Sequence, residues 1–327
     1  MPRLKRVEPY VSPGFTRVRR GRGFGYVHTD GGIAGRAERA RIADLAVPPA
    51  WEDVWIADAP NAHILAVGVD QAGRRQYLYH PVWRERQDAE KFLRMTALAE
   101  VLPTARRGVR RDLALDELPR ERERERVLAA AFRTLDLGAI RIGSEESLAG
   151  FRSRGLTTLL VRNALPDGAD TVRFRFRAKG GIAQDVRMTD AALATFVERA
   201  RERSPAARLY AWPEGRRMRP AMPADVNEDI RARTGGDFTA KDFRTLRGTI
   251  AAAERLADEG LESTARARGR VIRDAIEYAS SVLGNTAAIA KASYIDPRIF
   301  AQYERGRLIA RRGARETALL ALLVEDE

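Results

Sequence analysis

The densest chemistry in this sequence lies in Leu283-Gly-Asn-Thr-Ala-Ala-Ile-Ala-Lys-Ala-Ser-Tyr294. Gly284 stops a helix, the short polar Asn285 follows it, and Tyr294 comes nine positions later, inside Lys291-Ala-Ser-Tyr294-Ile-Asp-Pro297. We read Tyr294 as an oxygen nucleophile aimed at a DNA phosphate, and Asn285 as one of the groups that receives that phosphate. A phenol is little ionised at neutral pH, so it needs cations nearby to act as a nucleophile. The chain is rich in them: 58 Lys and Arg stand against 45 Asp and Glu, a net charge of +13, with a pI near 10.6. Such a balance favours a polyanion partner, nucleic acid before membrane.

Composition narrows the classes further. No cysteine occurs in the 327 residues, which excludes disulfides, zinc fingers and thiol chemistry. The longest apolar run near either end, Ala318 to Val324, falls far short of the roughly 18 residues of a membrane span. The N-terminus, with Arg3, Lys5 and Arg6, lacks an apolar signal core. A soluble cytoplasmic protein, associated with the nucleoid and acting as a monomer, is expected. Only five of the 58 basic residues are lysine: Lys5, Lys91, Lys179, Lys241 and Lys291. Lysine can release its proton where arginine cannot, so a lysine in an arginine-dominated chain marks a candidate site for proton transfer.

The elements that must position these groups read as an α+β chain in three parts. Residues 1–22 read as a flexible basic arm, rich in Arg, Pro and Gly and without periodicity. Residues 23–88 read as a small β-rich N-terminal DNA-binding domain. Its strands are Phe24–His28, Trp55-Ile56, Ile64–Val69 and Gln76–Tyr79, separated by turns such as Asp30-Gly-Gly and Asp70-Gln-Ala-Gly. Residues 89–327 read as a larger, mostly helical catalytic domain. Within it, Arg120–Arg126 is a charge-laced solvated face. Leu156–Arg162, Thr171–Arg177 and Ile182–Val186 form a three-stranded antiparallel meander, with Lys179 at its tight turn. Thr189 caps the next helix. Thr239-Ala-Lys-Asp242 is a capping box opening a helix on which Phe243, Leu246 and Ile250 face the core, while Lys241, Arg244 and Gly248 lie roughly opposite. Another helix ends at Leu283, Asp296-Pro297 starts the next, and Glu316–Glu327 is a docking helix.

Five segments in this order resemble the poxvirus-like bacterial type IB DNA topoisomerases, over roughly residues 20 to 300. They are Arg141-Ile-Gly143, Gly155-Leu-Thr-Thr158, Phe176-Arg-Ala-Lys-Gly-Gly181, Phe238-Thr-Ala-Lys-Asp-Phe-Arg-Thr245, and Leu283-Gly-Asn-Thr286 with Ser293-Tyr294. Each alone is weak; their order and separation are specific. The resemblance implies two lobes closing as a clamp around duplex DNA, with no metal, nucleotide or other cofactor. It implies that Arg141 and Arg244 hold the non-bridging phosphate oxygens, that Lys179 protonates the departing 5′-oxygen, and that Tyr294 forms a 3′-phosphotyrosine. Asn285 stands where many relatives carry histidine; it donates a neutral hydrogen bond but does not titrate. In the N-terminal lobe Gln76, Tyr77 and Tyr79 match a strand set in the major groove, where Gln reads adenine edges, and Lys241 adds a DNA contact.

Two rival readings stand beside this one. A tyrosine recombinase uses similar residues, but its His-x-x-Arg box is here Lys241-Asp-Phe-Arg244, and the N-terminal region is β-rich rather than helical. A non-catalytic DNA-binding module accounts for the charge but not for the ordered Arg, Lys, Arg, Asn and Tyr.

Overall fold

The computed structural model describes residues 3–114 and 122–324. The chain divides into two compact units, residues 1–90 and 91–327.

The first unit is a five-stranded antiparallel sheet. Its strands are β1 (Gly14–Arg20), β2 (Gly23–His28), β3 (Glu52–Ala57), β4 (Ile64–Val69) and β5 (Arg75–Tyr79), in the order β2-β1-β3-β4-β5. Helix α1 (Arg36–Asp44) lies between β2 and β3 in sequence. Alternation along β3 feeds two small cores: Val54 and Ile56 pack with Phe15 and with Ile42 of α1, while Trp55 and Ala57 pack with Ile64 and Val67. Residues 14–20 are therefore not part of a flexible arm. β1 pairs with β2 along its length and with β3 through Gly14, Phe15 and Thr16. The arginines that disguised it cluster toward the end paired with β2 alone, while Phe15 is fully buried.

Helix α2 (Pro81–Leu113) begins in the first unit and continues into the second. The second unit adds α3 (Glu123–Gly138), α4 (Glu145–Phe151), the antiparallel sheet β6 (Ala164–Pro166), β7 (Thr171–Arg177) and β8 (Ala183–Thr189), and α5 (Ala191–Ala200). Next come the hairpin β9 (Ala211–Glu214) and β10 (Arg217–Pro220), α6 (Pro223–Thr234), α7 (Ala240–Glu259) and α8 (Ala265–Leu283). Then α9 (Ala287–Ser293), α10 (Arg298–Glu304) and α11 (Arg315–Leu323) complete the described chain. The class is the expected α+β, a β-rich first unit and a mostly helical second one with a three-stranded antiparallel sheet. No helix among the described residues is long and apolar enough to cross a membrane.

Helix α7 runs through the core of this unit. Phe243, Leu246 and Ile250 are buried; of the face expected to be polar, Arg244 and Gly248 are buried as well, while Lys241 is exposed. Its start is fixed by Asp242, which accepts from the Thr239 N–H at 2.8 Å, the Thr239 hydroxyl at 2.9 Å and Arg94 of α2 at 2.6 Å.

Other expectations change in detail. Leu156–Arg162 is not a strand but two short 3-10 turns, and the first strand of the sheet is the three-residue β6. Local side-chain bonds displace the ladder there. The Thr158 hydroxyl takes the Gly155 N–H at 2.9 Å, and the Asn163 carbonyl oxygen takes the Leu160 N–H at 2.9 Å. Asp190, not Thr189, caps α5, accepting from Leu193. Arg126 is buried rather than solvated, while Arg120 and Glu121 lie outside the described residues. The hairpin β9–β10 carries no signal that sequence reading picked up.

An ionic network ties the C-terminal helix to this core. Arg106 of α2 donates twice to Asp136 of α3, at 2.8 and 2.7 Å, and to Glu316 of α11 at 2.6 Å. Arg133 donates to Asp136 at 2.8 Å and to Asp190, the α5 cap, at 2.7 Å. Removing Arg106 leaves the buried Glu316 without its cation and Asp136 with Arg133 alone. Arg106→Leu is expected to cost about 3 kcal/mol, a fall of roughly 6–12 °C in the melting temperature of a unit this size. Calorimetry checks it, and limited proteolysis is expected to cut first near α11.

Candidate active site

The spacing between Asn285 and Tyr294 is one short helix. Gly284 ends α8 in the left-handed region at φ 58°, and the Asn285 N–H returns to Ser280 O at 2.9 Å. Thr286 then caps α9, its hydroxyl accepting from Ile289 at 3.3 Å. Tyr294 follows the last turn of α9, with its N–H on Ala290 O at 2.9 Å.

Arg141 is placed by contact between two of the sequence motifs. Leu156 N–H donates to Arg141 O at 2.8 Å and Thr157 N–H to Ile142 O at 2.9 Å. A Cβ on Gly155 would sit 2.5 Å from both Arg141 O and Gly143 N, so only glycine lets the two segments meet. Lys179 stands exposed at the tip between β7 and β8, where Gly180 and Gly181 turn the chain at φ 79° and 75°.

These elements converge. Arg141, Lys179, Lys241, Arg244 and Tyr294 line one cavity of about 410 Å³, together with Ser144, Ser147 and Arg154. The Arg244 guanidinium is 4% exposed and lies over the Tyr294 ring, 4.9 Å from its centre. Arg244 donates Nη1 to Ala139 O and Nη2 to Leu283 O, the latter at 2.9 Å. Arg141 donates Nη1 to Gly284 O at 3.3 Å and Nη2 to the Asn285 side-chain oxygen. Asn285 thus belongs to the cluster through Arg141.

Two features give this cluster its chemistry. Neither Arg141 nor Arg244 has a carboxylate partner among the described residues; main-chain and amide oxygens hold both. Arg244 Nε and Asn285 Nδ2 are buried donors without a hydrogen-bond partner in the structure. Buried donors are rarely left unpaired, and such a pair is suited to an incoming anion. Burial is the main force pushing the Arg244 pKa down, to about 10; Arg141 adds to it and the Tyr294 phenol opposes it. Burial likewise lowers Arg141, with Tyr294 opposing. Both stay charged at neutral pH.

Lys241 lines the cavity from the first turn of α7, exposed. Gln76, Tyr77 and Tyr79 are on β5 of the first unit. Tyr77 and Tyr79 stack, 5.8 Å apart and 14° from parallel. Gln76 alternates with them onto the other face of the strand, and its amide donates to Asp70 at 2.9 Å beside Arg74, so its donor is engaged within the turn. Tyr303 is buried with its hydroxyl on Gly260 O at 3.0 Å. Tyr278 is exposed on α8, and neither lines the cavity. Sequence reading missed Ser144, Ser147 and Arg154. No motif marked them as lining residues, and contact between Arg141-Ile-Gly143 and Gly155-Leu-Thr-Thr158 is what brings their loop to the cavity.

Residues 80–306, more than half of the chain, match the family described as eukaryotic DNA topoisomerase I, catalytic core. Residues 23–70 match the bacterial DNA topoisomerase IB N-terminal domain. The sequence is similar to DNA topoisomerase 1B of Acanthamoeba polyphaga mimivirus, 25% identical over 303 residues, covering 88% of this chain and 87% of the relative.

The unpaired Nδ2 donor yields a direct expectation. Asn285→Ala is expected to keep the fold, because the turn at Gly284 is made by main-chain bonds, and, with its amide as an anion donor in strand cleavage as proposed below, to slow cleavage of a duplex oligonucleotide about 100-fold. A single-turnover assay under saturating protein checks it.

Proposed function

This chain belongs to the DNA topoisomerase I catalytic-core family, and we propose that it relaxes supercoiled duplex DNA as a type IB enzyme, acting as a monomer without ATP or metal. The convergence of Tyr294 with Arg141, Arg244 and Lys179 on one cavity is the observation that supports this reading most directly.

In the proposed reaction the Tyr294 phenol gives up its proton to solvent water and its oxygen attacks the phosphorus of one strand. A bond forms between that oxygen and phosphorus, and the bond from phosphorus to the sugar 5′-oxygen breaks. Lys179 donates a proton to the departing oxygen, which is a poor leaving group without it. Charge builds on the non-bridging oxygens in the transition state. Arg141, Arg244 and the Asn285 amide receive it, each lost donor costing about 100- to 1000-fold. The 3′-phosphotyrosine keeps the energy of the broken phosphodiester, so the freed 5′-hydroxyl reseals the strand after rotation, without a nucleotide. Lys241 and the Tyr77–Tyr79 pair contribute further DNA contacts. Asn285 stands where the resemblance places histidine in many relatives, so the group beside Arg141 is a neutral amide that does not titrate.

The purified protein is expected to relax plasmid DNA in excess chelator without ATP. Tyr294→Phe is expected to abolish relaxation and the covalent adduct while retaining duplex binding; an active Tyr294→Phe protein overturns the proposal. Lys179→Ala is expected to slow cleavage strongly on ordinary DNA and to recover on a 5′-bridging phosphorothiolate, whose leaving group needs no proton. Failure to recover removes Lys179 from the proton-donor role.

A further inference from the structure

Tyr294 side chain and main chain are held by the same helix. The Thr249 hydroxyl, fully buried on α7, donates to Tyr294 O at 3.3 Å and accepts the Asp296 N–H at 3.0 Å. One residue earlier, a Cβ on Gly248 would stand 2.8 Å from Tyr294 O and 2.8 Å from Leu283 Cδ1, so the tyrosine main chain lies directly on a bare patch of helix. One turn before that, Arg244 lies over the ring. Positions 244 and 248 share one face of α7, being i and i+4, and Thr249 is the next residue round the helix. The far side of the contact is also fixed: Asp296 is fully buried, takes the Arg298 N–H at 2.9 Å, and pairs with the Arg298 guanidinium at 3.0 and 2.7 Å.

We propose that Gly248 and Thr249 are positioning residues that latch the main chain of the tyrosine onto α7, setting its oxygen in line with the phosphate that Arg244 holds. The proposal rests on the reading of Tyr294 as the nucleophile. Its physical basis is that in-line attack tolerates little displacement, and a misplacement of about 1 Å costs on the order of 100-fold. Helix α9 alone is a poor anchor. It spans only seven residues, of which Ala290 is the buried one, and it holds Tyr294 by a single main-chain bond to Ala290 O. The latch supplies the missing constraint and ties it to the element that carries the transition-state cation. A threonine suits the position because its hydroxyl donates and accepts at once. Valine has the same shape and does neither, leaving the Tyr294 carbonyl and the Asp296 N–H without their partner.

The test compares Thr249→Val, Thr249→Ser and Gly248→Ala with the unmodified protein, measuring single-turnover cleavage, duplex affinity and melting temperature. Thr249→Val is expected to slow cleavage about 100-fold with unchanged affinity, and Thr249→Ser to recover most of the rate. Gly248→Ala, whose methyl pushes on Tyr294 O while Thr249 is intact, is expected to behave like Thr249→Val. A merely structural threonine would lower melting temperature and affinity together with rate. A folded Thr249→Val or Gly248→Ala protein that cleaves at the unmodified rate overturns the latch, as does a Thr249→Ser protein as slow as Thr249→Val. Should the variants fail to fold, hydrogen exchange on the unmodified protein decides: the Asp296 amide is expected to be strongly protected, and fast exchange overturns the latch. An unmodified protein that forms no adduct refutes the nucleophile itself, whereas an adduct formed equally by all variants refutes only the latch.

Discussion

The constraint on which the rest of the structure depends is a buried guanidinium without a carboxylate. Several other buried or half-buried arginines of the second unit are neutralised: Arg106 and Arg133 by Asp136, Arg233 by Asp112 and Asp229, Arg298 by Asp296. Arg244 is as buried as any of them, yet it is held by the carbonyls of Ala139 and Leu283 and a tyrosine ring. Carbonyl dipoles satisfy its N–H groups but do not cancel its charge. Desolvating an ion this way costs several kcal/mol even after relaxation. The downward push on its pKa is the same cost seen from the proton's side. A fold that retains such a group keeps a positive potential in a low-dielectric wall, where it acts strongly on whatever negative charge arrives.

That group needs a rigid carrier, and much of the second unit reads as support for it. Asp242 starts α7, and Arg94 of α2 pins Asp242 from outside the helix. The carbonyls that receive Arg244 come from the residue after α3 and the last residue of α8, so two further helices must end at the right height. Both ends are set by left-handed residues, Ala139 at φ 48° and Gly284 at φ 58°. The alanine there is a strained choice, since residues with a Cβ seldom adopt that region. Its carbonyl is the one that meets Arg244, so the strain and the contact coincide.

Much of this could be read from the sequence. The capping box at Thr239, the stop at Gly284 and the turn at Lys179 are local signals, and each element lies where those signals put it. The five motifs point to residues that the fold gathers, because each motif is a contact rather than a decoration: Arg141-Ile-Gly143 and Gly155-Leu-Thr-Thr158 are two sides of one. What could not be read was set by partners far along the chain. β1 hides in an arginine-rich stretch because its pairing with β3 is invisible locally. Leu156–Arg162 has the apolar character of a strand, but the side chains of Thr158 and the following Asn163 bond the local backbone instead. Gly248 and Thr249 look like ordinary helix residues until the chain returns to them 45 residues later in sequence.

The contrast between the arginines and Lys179 carries the last step. A group that stabilises developing charge works best when it neither moves nor exchanges its proton, and burial against fixed carbonyls provides that. A group that hands over a proton must recover one afterwards, which requires water. Lys179 is exposed, on a tip made of two glycines at positive φ, and it has no carboxylate partner among the described residues. The hairpin presents an exposed cation at the cavity, while α7 presents a buried one held by main-chain carbonyls. In a chain where arginine outnumbers lysine so heavily, an exposed lysine and a buried arginine suit the proposed proton donor and the proposed phosphate clamp by what each side chain can do with its proton.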